Sequence, residues 1–169
     1  DIYVSDTYNQ VIRKISNGIV STLAGKQGVQ GMKDGKGEEA LFNLPRGLCI
    51  DSDGSLLVVD CGNGSIRRVS LDGVVSTLVG NGVKGDRDGD LSQAQFLTPM
   101  DICRNGNDIY VSDYRASCVK KISNGKVISL KGVNNPTCIA ILNGCLYTIS
   151  PIHKIFRGEE FEHFAGSGE

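Results

Sequence analysis

Three aspartates recur at a near-constant spacing along this chain of 169 residues, and regularly placed carboxylates are candidates for catalysis or calcium binding. Asp6, Asp60 and Asp113 lie 54 and 53 residues apart, and each ends an apolar run and precedes a polar turn. A repeat of this length places the three carboxylates on separate structural units. We therefore expect each to accept hydrogen bonds from backbone amides of its own turn, and not to share a metal ion or a substrate.

A basic pair follows each aspartate: Arg13-Lys14, Arg67-Arg68 and Lys120-Lys121. Neighbouring residues of a strand point to opposite faces, so these pairs do not form one continuous basic stripe. RNA binding calls for clustered positive charge with stacking aromatics. The net charge of −1 gives no general attraction to nucleic acid or to an anionic membrane. We expect the basic side chains to pack between units and pair with carboxylates such as Asp60, which disfavours nucleic acid as a partner.

The remaining residues with catalytic or metal-binding side chains show no pattern of a reactive site. His153 and His163 are the two histidines of the sequence, and both fall in its last repeat. The six cysteines form no Cys-x-x-Cys pair or Cys/His metal spacing, and Cys49 and Cys103, which share one repeat position, are predicted to be small buried hydrophobes. No nucleophile is paired with a base. The sequence thus predicts no catalytic residue, no metal ligand and no cofactor.

Turn residues divide each repeat into four short strands, which the second repeat shows most clearly. Its turns are Ser52-Asp-Gly-Ser55, Cys61-Gly-Asn-Gly64 and Asp72-Gly73. Asp-Gly and Asn-Gly between β-branched runs are a strong hairpin signal, because such turns need positive φ. The consecutive apolar residues 56–59 are typical of a strand covered on both faces. A period of about 50 residues with four strands per unit indicates a β-propeller blade. The predicted fold class is therefore all-β, a β-propeller segment of four-stranded antiparallel blades.

Glycine-rich crossings join one unit to the next, and two of them close on the same motif, Ala-x-Phe-x-x-Pro. The motif contains Phe42 and Pro45 in the first crossing, and Phe96 and Pro99 in the second. We expect each Phe to fill the space between two blades. Each Pro should open an inner strand whose first amide need not pair. The third crossing keeps Pro136 and loses the rest of the motif.

These signatures together resemble the NHL-repeat family of six-bladed β-propellers. The matching elements are the strand that ends in Asp, the polar hairpin, the Ile-Arg-Lys-Ile run at 12–15, the Val-Ser-Thr-Leu-x-Gly outer strand and the Asp-Gly … Ala-x-Phe-x-x-Pro crossing. The resemblance covers nearly the whole chain and implies the fold. It does not imply one function, because the family includes RNA-binding regulators, substrate-recruiting modules of ubiquitin ligases, sensor domains of bacterial kinases and peptide-amidating lyases.

The repeat boundaries divide the chain into a partial blade at 1–25, two blades at 26–80 and 81–132, and a degenerate blade at 133–169. The first unit lacks an inner strand before residue 1. We expect these blades to be part of a longer propeller, with a ring completed by a second chain or a self-contained four-blade ring as alternatives. Open strand edges invite pairing, so we also expect self-association or completion by further blades.

The favoured function is a non-enzymatic scaffold that binds a protein or peptide through one rim. The hairpins after the repeated aspartates keep their length while their residues change, and antiparallel connectivity places them on the same rim as the crossings. Tyr8, Tyr114 and Arg115 in these hairpins are residue types enriched at interface hot spots. Arg46 and Met100, which follow Pro in two inner strands, could join them near the axis.

The sequence is also compatible with two other functions. The first alternative is part of a metal-dependent lyase or hydrolase whose catalytic residues lie in blades that this chain does not contain. The second alternative is an RNA-binding NHL domain.

Overall fold

The computed structural model describes residues 1–151 and 154–166, and its regular structure consists of strands and three single-turn 3-10 helices. Long helices are absent from the described residues because glycines recur every few residues of the sequence and disfavour helix formation. The 3-10 helices are Thr7–Asn9, Gly37–Glu39 and Cys61–Asn63.

The strands form four antiparallel sheets, one for each repeat, which we number as blades 1 to 4. Blade 1 contains β1 (Ile2–Asp6), β2 (Val11–Ser16) and β3 (Ile19–Ala24). Blade 2 contains β4 (Gly35–Lys36), β5 (Pro45–Ile50), β6 (Leu56–Asp60), β7 (Ser65–Val69) and β8 (Val74–Val79). Blade 3 contains β9 (Gly89–Asp90), β10 (Pro99–Asn105), β11 (Asp108–Asp113), β12 (Cys118–Ser123) and β13 (Lys126–Lys131). Blade 4 contains β14 (Cys138–Leu142), β15 (Cys145–Ser150), β16 (Lys154–Arg157) and β17 (Glu162–Ala165).

Within each blade the predicted meander is confirmed, because consecutive strands pair in antiparallel order from the inner to the outer strand. The hairpin turns have the predicted backbone geometry. Asn17-Gly18 joins β2 to β3 with φ of 50° and 78°, and Asn124-Gly125 joins β12 to β13 with φ of 49° and 75°. Asn and Gly tolerate this left-handed region, and the resulting twist matches that of the flanking strands.

Blades 2 and 3 each carry a fifth strand, whereas the sequence predicts four. Gly35 and Lys36 of the crossing pair with Val75 and Val74 at the edge of β8. The crossing before blade 3 does the same, because β9 pairs with the edge of β13. Each short addition covers an edge that would otherwise present unpaired amides and carbonyls.

The core lies between successive blades and not within any single blade. Phe42 is fully buried between blades 1 and 2, and Phe96 is fully buried between blades 2 and 3, as the sequence predicts. Between blades 3 and 4, Phe161, from the turn between β16 and β17, is buried together with Tyr110 of β11. The crossing before blade 4 has no Phe, and a Phe from a turn of blade 4 itself fills the space between blades 3 and 4.

The inner strands of blades 2, 3 and 4 lie next to one another in chain order. A Cβ on Gly47 of β5 would collide with Asp101 of β10, so this close approach requires glycine. Asp101 in turn accepts the amide of Ile139 in β14 at 3.0 Å. The inner strands are therefore joined by side-chain bonds as well as by packing.

Candidate functional site

The three hairpins that follow Asp6, Asp60 and Asp113 share one backbone design. Each contains a turn in which the amide of a left-handed residue donates to a carbonyl three residues earlier. The donors are Gln10, Gly64 and Ser117, with φ of 63°, 57° and 50° and N–O distances of 3.3, 3.2 and 3.3 Å. This common frame lies at the same end of its sheet in blades 1, 2 and 3, and we call that end the hairpin rim.

The side chains on this frame differ from blade to blade. Tyr8 of blade 1 is 85% exposed, and Arg115 of blade 3 is also exposed. Tyr114 is half-buried, and its carbonyl accepts a hydrogen bond from the side chain of Asn135 at 3.0 Å. In blade 2 every residue of the equivalent turn, 61–64, is buried or half-buried, and Gly62 donates to the Asn43 carbonyl of the crossing at 2.7 Å. The most open positions of the rim are therefore in blades 1 and 3.

The two residues expected near the axis are less accessible than these. Arg46 is half-buried beside Cys61, whose thiol pKa is raised by burial. Met100 is half-buried and packs against the apolar core between blades 2 and 3. The structure therefore places Tyr8, Tyr114 and Arg115 at one end of their sheets, and gives Met100 a packing role.

The crossings do not remain on the hairpin rim along their whole length, contrary to the sequence-based hypothesis. The first crossing starts there, because Gly28 donates to the Asn9 carbonyl at 2.9 Å, and it ends there beside Gly62. Its midpoint reaches the β7–β8 turn at the other end of blade 2, where Gly37 donates to the Gly73 carbonyl at 2.9 Å. Pairing of β4 with the outer strand draws the chain across the blade edge.

Asp60 and Asp113 accept backbone amides mainly from the crossings, which corrects the expectation that such amides come from their own turns, whereas Asp6 and Asp60 bond their own turns through the side-chain amides of Asn9 and Asn63. Asp60 accepts the amide of Asn43 at 2.7 Å. Asp113 accepts the amides of Leu97 and Thr98 at 2.8 Å each, and that of Ala116 in its own turn at 3.3 Å. The Asp60 and Asp113 carboxylates thereby fix the entry of the chain into blades 2 and 3. No group of three or more His, Cys, Asp or Glu residues that could hold a metal ion occurs in the described part of the chain.

A buried ion network lies between blades 1 and 2, and we call it the Arg67 socket. Arg67 and Asp60 have fully buried side chains and form an ion pair at 2.8 Å. The Arg67 guanidinium also binds Asp34 of the crossing at 2.6 Å and lies over the Phe42 ring at 5.3 Å. Partial burial raises the pKa of Asp34, but hydrogen bonds from Arg67 and Thr77 outweigh it and leave that pKa below its ordinary value.

The same arrangement recurs between blades 2 and 3, in what we call the Lys120 socket. The buried Lys120 binds Asp88 at 2.8 Å and lies over the Phe96 ring at 5.9 Å. Asp88 also accepts the amide and the hydroxyl of Ser129 at 2.8 and 2.7 Å. The expectation of basic side chains packed between blades is confirmed for Arg67 and Lys120, which are both fully buried. Arg68, the neighbour of Arg67 in the sequence, points to the other face of blade 2, where it binds Asp51.

The rim opposite the hairpins carries charges that neutralise one another. Asp51 binds Arg68 of its own blade at 2.6 Å and Arg104 of blade 3 at 3.1 Å. Arg68 also reaches Asp53 at 3.1 Å. These pairs join two blades, and they leave little unpaired charge in this part of the described rim for a partner.

Blade 4 is attached to blade 3 by a polar cluster. Glu159 accepts hydrogen bonds from Lys121 at 2.8 Å and from Tyr110 at 2.5 Å. These bonds lower the pKa of Glu159, and burial together with the Glu159 carboxylate raises the pKa of Tyr110 to about 12. The cluster therefore attaches blade 4 to blade 3, with the Tyr110 hydroxyl and the Lys121 ammonium as donors to one carboxylate.

The structure describes the six cysteines as free thiols and one of the two histidines. Cys49 and Cys103 are partly and not fully buried, which modifies the prediction, and burial raises the pKa of both thiols to about 12. His163 lies in β17, with Nε2 at 2.7 Å from the carbonyl of Gly166. His153 lies outside the described residues. In the described part of the chain, no helix is long and apolar enough to cross a membrane.

Three comparisons relate this chain to known proteins. The NHL repeat model matches residues 42–69. The chain is 43% identical over 72 residues to the chloroplastic protein SUPPRESSOR OF QUENCHING 1 of Arabidopsis thaliana, a match that covers 41% of this chain and 7% of that protein. It is 34% identical over 92 residues to NHL repeat-containing protein 2 of Gallus gallus, covering 52% of this chain and 12% of that protein. The chain thus spans only a small part of these relatives.

Among solved structures, the fold is similar to virginiamycin B lyase from Staphylococcus aureus, with a TM-score of 0.68. The match covers 96% of this chain and 50% of the lyase at 16% sequence identity, so it shows a shared β-propeller fold. The β-propeller fold that the motifs indicate is confirmed, and the resemblance to NHL repeats is supported by the model match at residues 42–69.

Proposed function

From a chain of NHL repeats folded as consecutive β-propeller blades, we propose a non-enzymatic scaffold that binds a protein or peptide partner through the hairpin rim. The observation that carries this proposal is the repeated frame of the three hairpins, with left-handed residues at Gln10, Gly64 and Ser117. Constant backbone with varying side chains is how a rigid scaffold presents a binding surface. The rim offers the aromatic and guanidinium groups that most often anchor a partner.

The chemistry of the described residues supports a binding role over a catalytic one. The buried ion pairs bond to neighbouring blades and crossings, so their charges hold the scaffold together. On the hairpin rim, by contrast, the Tyr8 and Arg115 side chains are exposed, and neither is needed for a turn. The rigid Tyr8 side chain covers contact area at low entropic cost when a partner binds.

The test begins with the selection of a peptide ligand from a displayed library against the purified chain. Its affinity is then measured for the Tyr8→Ala, Tyr114→Ala, Arg115→Ala triple variant. Truncation of hot-spot residues costs about 2 kcal/mol or more each, so we expect the dissociation constant to rise by at least about thirtyfold. The matched control is the Leu71→Ala, Lys126→Ala double variant, which removes exposed side chains away from the hairpin rim.

The control should bind as the unaltered chain does, and the thermal midpoint of the triple variant should stay close to that of the original. Equal loss of affinity in both variants would contradict a site on the hairpin rim. A midpoint that falls together with affinity would assign Tyr8, Tyr114 and Arg115 to the scaffold.

A second candidate is favoured by the structural similarity to virginiamycin B lyase. In this alternative the chain is part of a metal-dependent lyase or hydrolase whose catalytic residues lie in other blades. The whole protein that carries this chain would then convert quinupristin, the compound present in a solved structure of that lyase, in a metal-dependent manner. Absence of conversion with added divalent metal, together with tight peptide binding at the rim, would leave the scaffold as the function.

A further inference from the structure

The basic side chains of the described residues differ in whether a carboxylate binds them. On the rim opposite the hairpins they are paired. Lys36 binds Asp72 at 3.0 Å and Lys126 binds Asp90 at 2.5 Å, in addition to the pairs around Asp51. Other basic side chains form no ion pair within the described part of the chain, and these lie in hairpins, in crossings or near strand ends. They are Lys26, Lys33, Arg46, Lys84, Arg87, Arg115 and Lys131.

Arg46 and Lys84 converge on the hairpin of blade 2, and we call them the rim cation pair. Burial raises the pKa of the Cys61 thiol, and the positive charges of Arg46 and Lys84 act in the opposite direction, so both charges lie close to that one sulfur. Arg46 belongs to the inner strand β5, and Lys84 to the crossing before blade 3. The stem of Lys84 passes over Gly64, where an added Cβ would lie 3.4 Å from its Cγ. Two cations from different segments therefore share one position on the hairpin rim.

Arg46 is the less solvated member of this pair. The residue is half-buried, and its Nε is buried without a hydrogen-bond partner in the described structure. Three other arginines of blades 2 and 3 also have a buried and unbonded Nε, but each of them has a carboxylate beside it: Arg67, Arg68 and Arg104. Removal of a charge from water is costly unless the charge is paired. A carboxylate supplied by a ligand would give Arg46 the partner that the fold gives to the other three.

The turn beside the rim cation pair leaves room for a ligand. It contains two glycines, and its Asn63 side chain points inward and donates to Asp60 at 2.8 Å. A Cβ on Gly62 would collide with the first crossing, which keeps this turn close to the body of the blade. The hairpins of blades 1 and 3 instead carry the exposed Tyr8 and Arg115. The hairpin rim therefore has a low centre with two cations, and larger side chains on either side.

The acidic residues near the rim cation pair are already bound or are offset by other charges. Asp113, whose charge also reaches the Cys61 thiol, is fully buried and accepts the backbone amides of blade 3 and its crossing. The neighbouring Asp86 and Arg87 are both exposed and carry opposite charges, so together they leave the local balance unchanged. Blades 2 and 3, which flank this position, each have a full set of strands. The positive charge at the centre of the rim is therefore a property of two complete blades.

The surface suits an acidic peptide better than a nucleic acid. Among the described residues of the hairpin rim, Tyr8 is the exposed aromatic side chain, and it lies in blade 1, away from the rim cation pair. Binding of single-stranded nucleic acid depends on aromatic side chains on which successive bases stack. A carboxylate needs only donors, and a guanidinium presents them in a planar fork that matches its two oxygens.

We propose that the partner segment bound at the hairpin rim is an acidic peptide, with the carboxylate of an aspartate or glutamate held between Arg46 and Lys84. The guanidinium binds the carboxylate in its plane, and the ammonium adds a second charge-assisted bond. Arg115 offers a further cation to a neighbouring acidic residue of the same segment. This inference rests on the proposed function, because it names the chemistry of the partner that the same rim binds.

The test measures binding of a rhodamine-labelled, C-terminally amidated hexaglutamate peptide to the full chain by fluorescence anisotropy. Hexaglutamine with the same label is the neutral comparison. Hydrogen bonds to charged groups are roughly twice as strong as neutral ones, so we expect hexaglutamate to bind at least about tenfold more tightly. This difference should shrink as the ionic strength rises from about 0.01 M to about 0.15 M, because added ions screen exposed charges.

The Arg46→Met, Lys84→Met variant keeps unbranched stems and removes both charges, so it should bind hexaglutamate at least about tenfold more weakly. Its matched control is the Lys36→Met, Lys126→Met variant, which removes two charges from exposed side chains on the opposite rim and should leave the affinity unchanged. Lys84→Glu is a second variant that does not alter the half-buried Arg46. It reverses an exposed charge, so it should keep the thermal midpoint and weaken binding by at least about tenfold as well.

Equal affinity for hexaglutamate and hexaglutamine, or equal loss in the two double variants, would overturn the inference. Tighter binding of a single-stranded oligouridylate through Arg46 and Lys84 would also overturn it, since the surface would then belong to a nucleic acid. A selected peptide ligand that depends on Tyr8, Tyr114 and Arg115 but not on the rim cation pair would overturn it and leave the proposed function in place. Hexaglutamate binding that requires the rim cation pair, together with selected ligands that ignore those three side chains, would support the pair and contradict only the three hot-spot residues.

Discussion

Replacement of Arg67 by methionine tests how much the Arg67 socket contributes to the free energy of unfolding. The Arg67 and Asp60 side chains are both fully buried, and Arg67 also binds Asp34 and the carbonyls of Leu41 and Lys33. Removal of one member of a buried ion pair costs about 3–5 kcal/mol, because it leaves an uncompensated charge. Stability of single domains is about 5–15 kcal/mol, so the loss should be a large fraction of the total.

The chain contains its own control for this experiment. Arg13→Met removes the residue at the same repeat position, but its pair with Asp6 is partly exposed. Exposed pairs contribute about 0–1 kcal/mol, so the two variants should differ by at least about 2 kcal/mol in the free energy of unfolding. Urea denaturation followed by circular dichroism measures both values, with equal slopes as the check on two-state behaviour.

A second substitution separates the charge from the packing. Adding Asp60→Asn to Arg67→Met removes the unpaired carboxylate, so the double variant should be less destabilised than the sum of the single changes. Equal losses for Arg67→Met and Arg13→Met would refute the reasoning, because burial would then have no effect on the strength of the pair. Strict additivity of Asp60→Asn and Arg67→Met would refute the direct coupling.

Three further predictions follow from packing, pH and thiol chemistry. Phe96→Ala should lower the free energy of unfolding by about 3–5 kcal/mol, as truncation of a buried aromatic does, whereas Phe164→Ala, at a 54% exposed position, should cost much less in the same urea titration. Partial burial raises the pKa values of Asp34 and Asp88 in the folded chain, but hydrogen bonds outweigh it and leave both pKa values lowered. The two carboxylates therefore stabilise the fold above the ordinary Asp pKa of about 4, and this contribution is lost as the pH falls through the lower folded values. The Asp34→Asn, Asp88→Asn variant should lose less stability than the original chain when the pH is lowered from about 5 to about 2. Burial raises the thiol pKa values of Cys49 and Cys103 to about 12, so at pH 7 the exposed Cys138 should react with a maleimide well before either, as peptide mapping by mass spectrometry will show.

The fold was predictable because its signals are local. Hairpins at Asn17-Gly18 and Asn124-Gly125 need only neighbouring residues to form, and the burial of Phe42 and Phe96 follows from a motif that recurs at one position. The predicted exposure of Tyr8 likewise needs no long-range contact.

The missed features depend on residues far apart in the sequence. Gly35 and Lys36 read as part of a loop, and they become a strand only through pairing with β8, about forty residues later. The partnership of Asp34 with Arg67 has the same origin, and so does the bond from Asp60 to Asn43. Phe161 fills the last gap between blades from a turn that has no counterpart motif in the other repeats.

Amide hydrogen exchange of the chain with and without a selected peptide ligand tests the scaffold proposal most directly. The account predicts that the ligand protects the hairpin rim, at residues 7–10, 61–64 and 114–117, and leaves exchange unchanged in the opposite turns at Asn17-Gly18 and Asp72-Gly73. Protection confined to those opposite turns, or no local protection by a ligand that binds tightly, would contradict the hairpin rim as the binding surface.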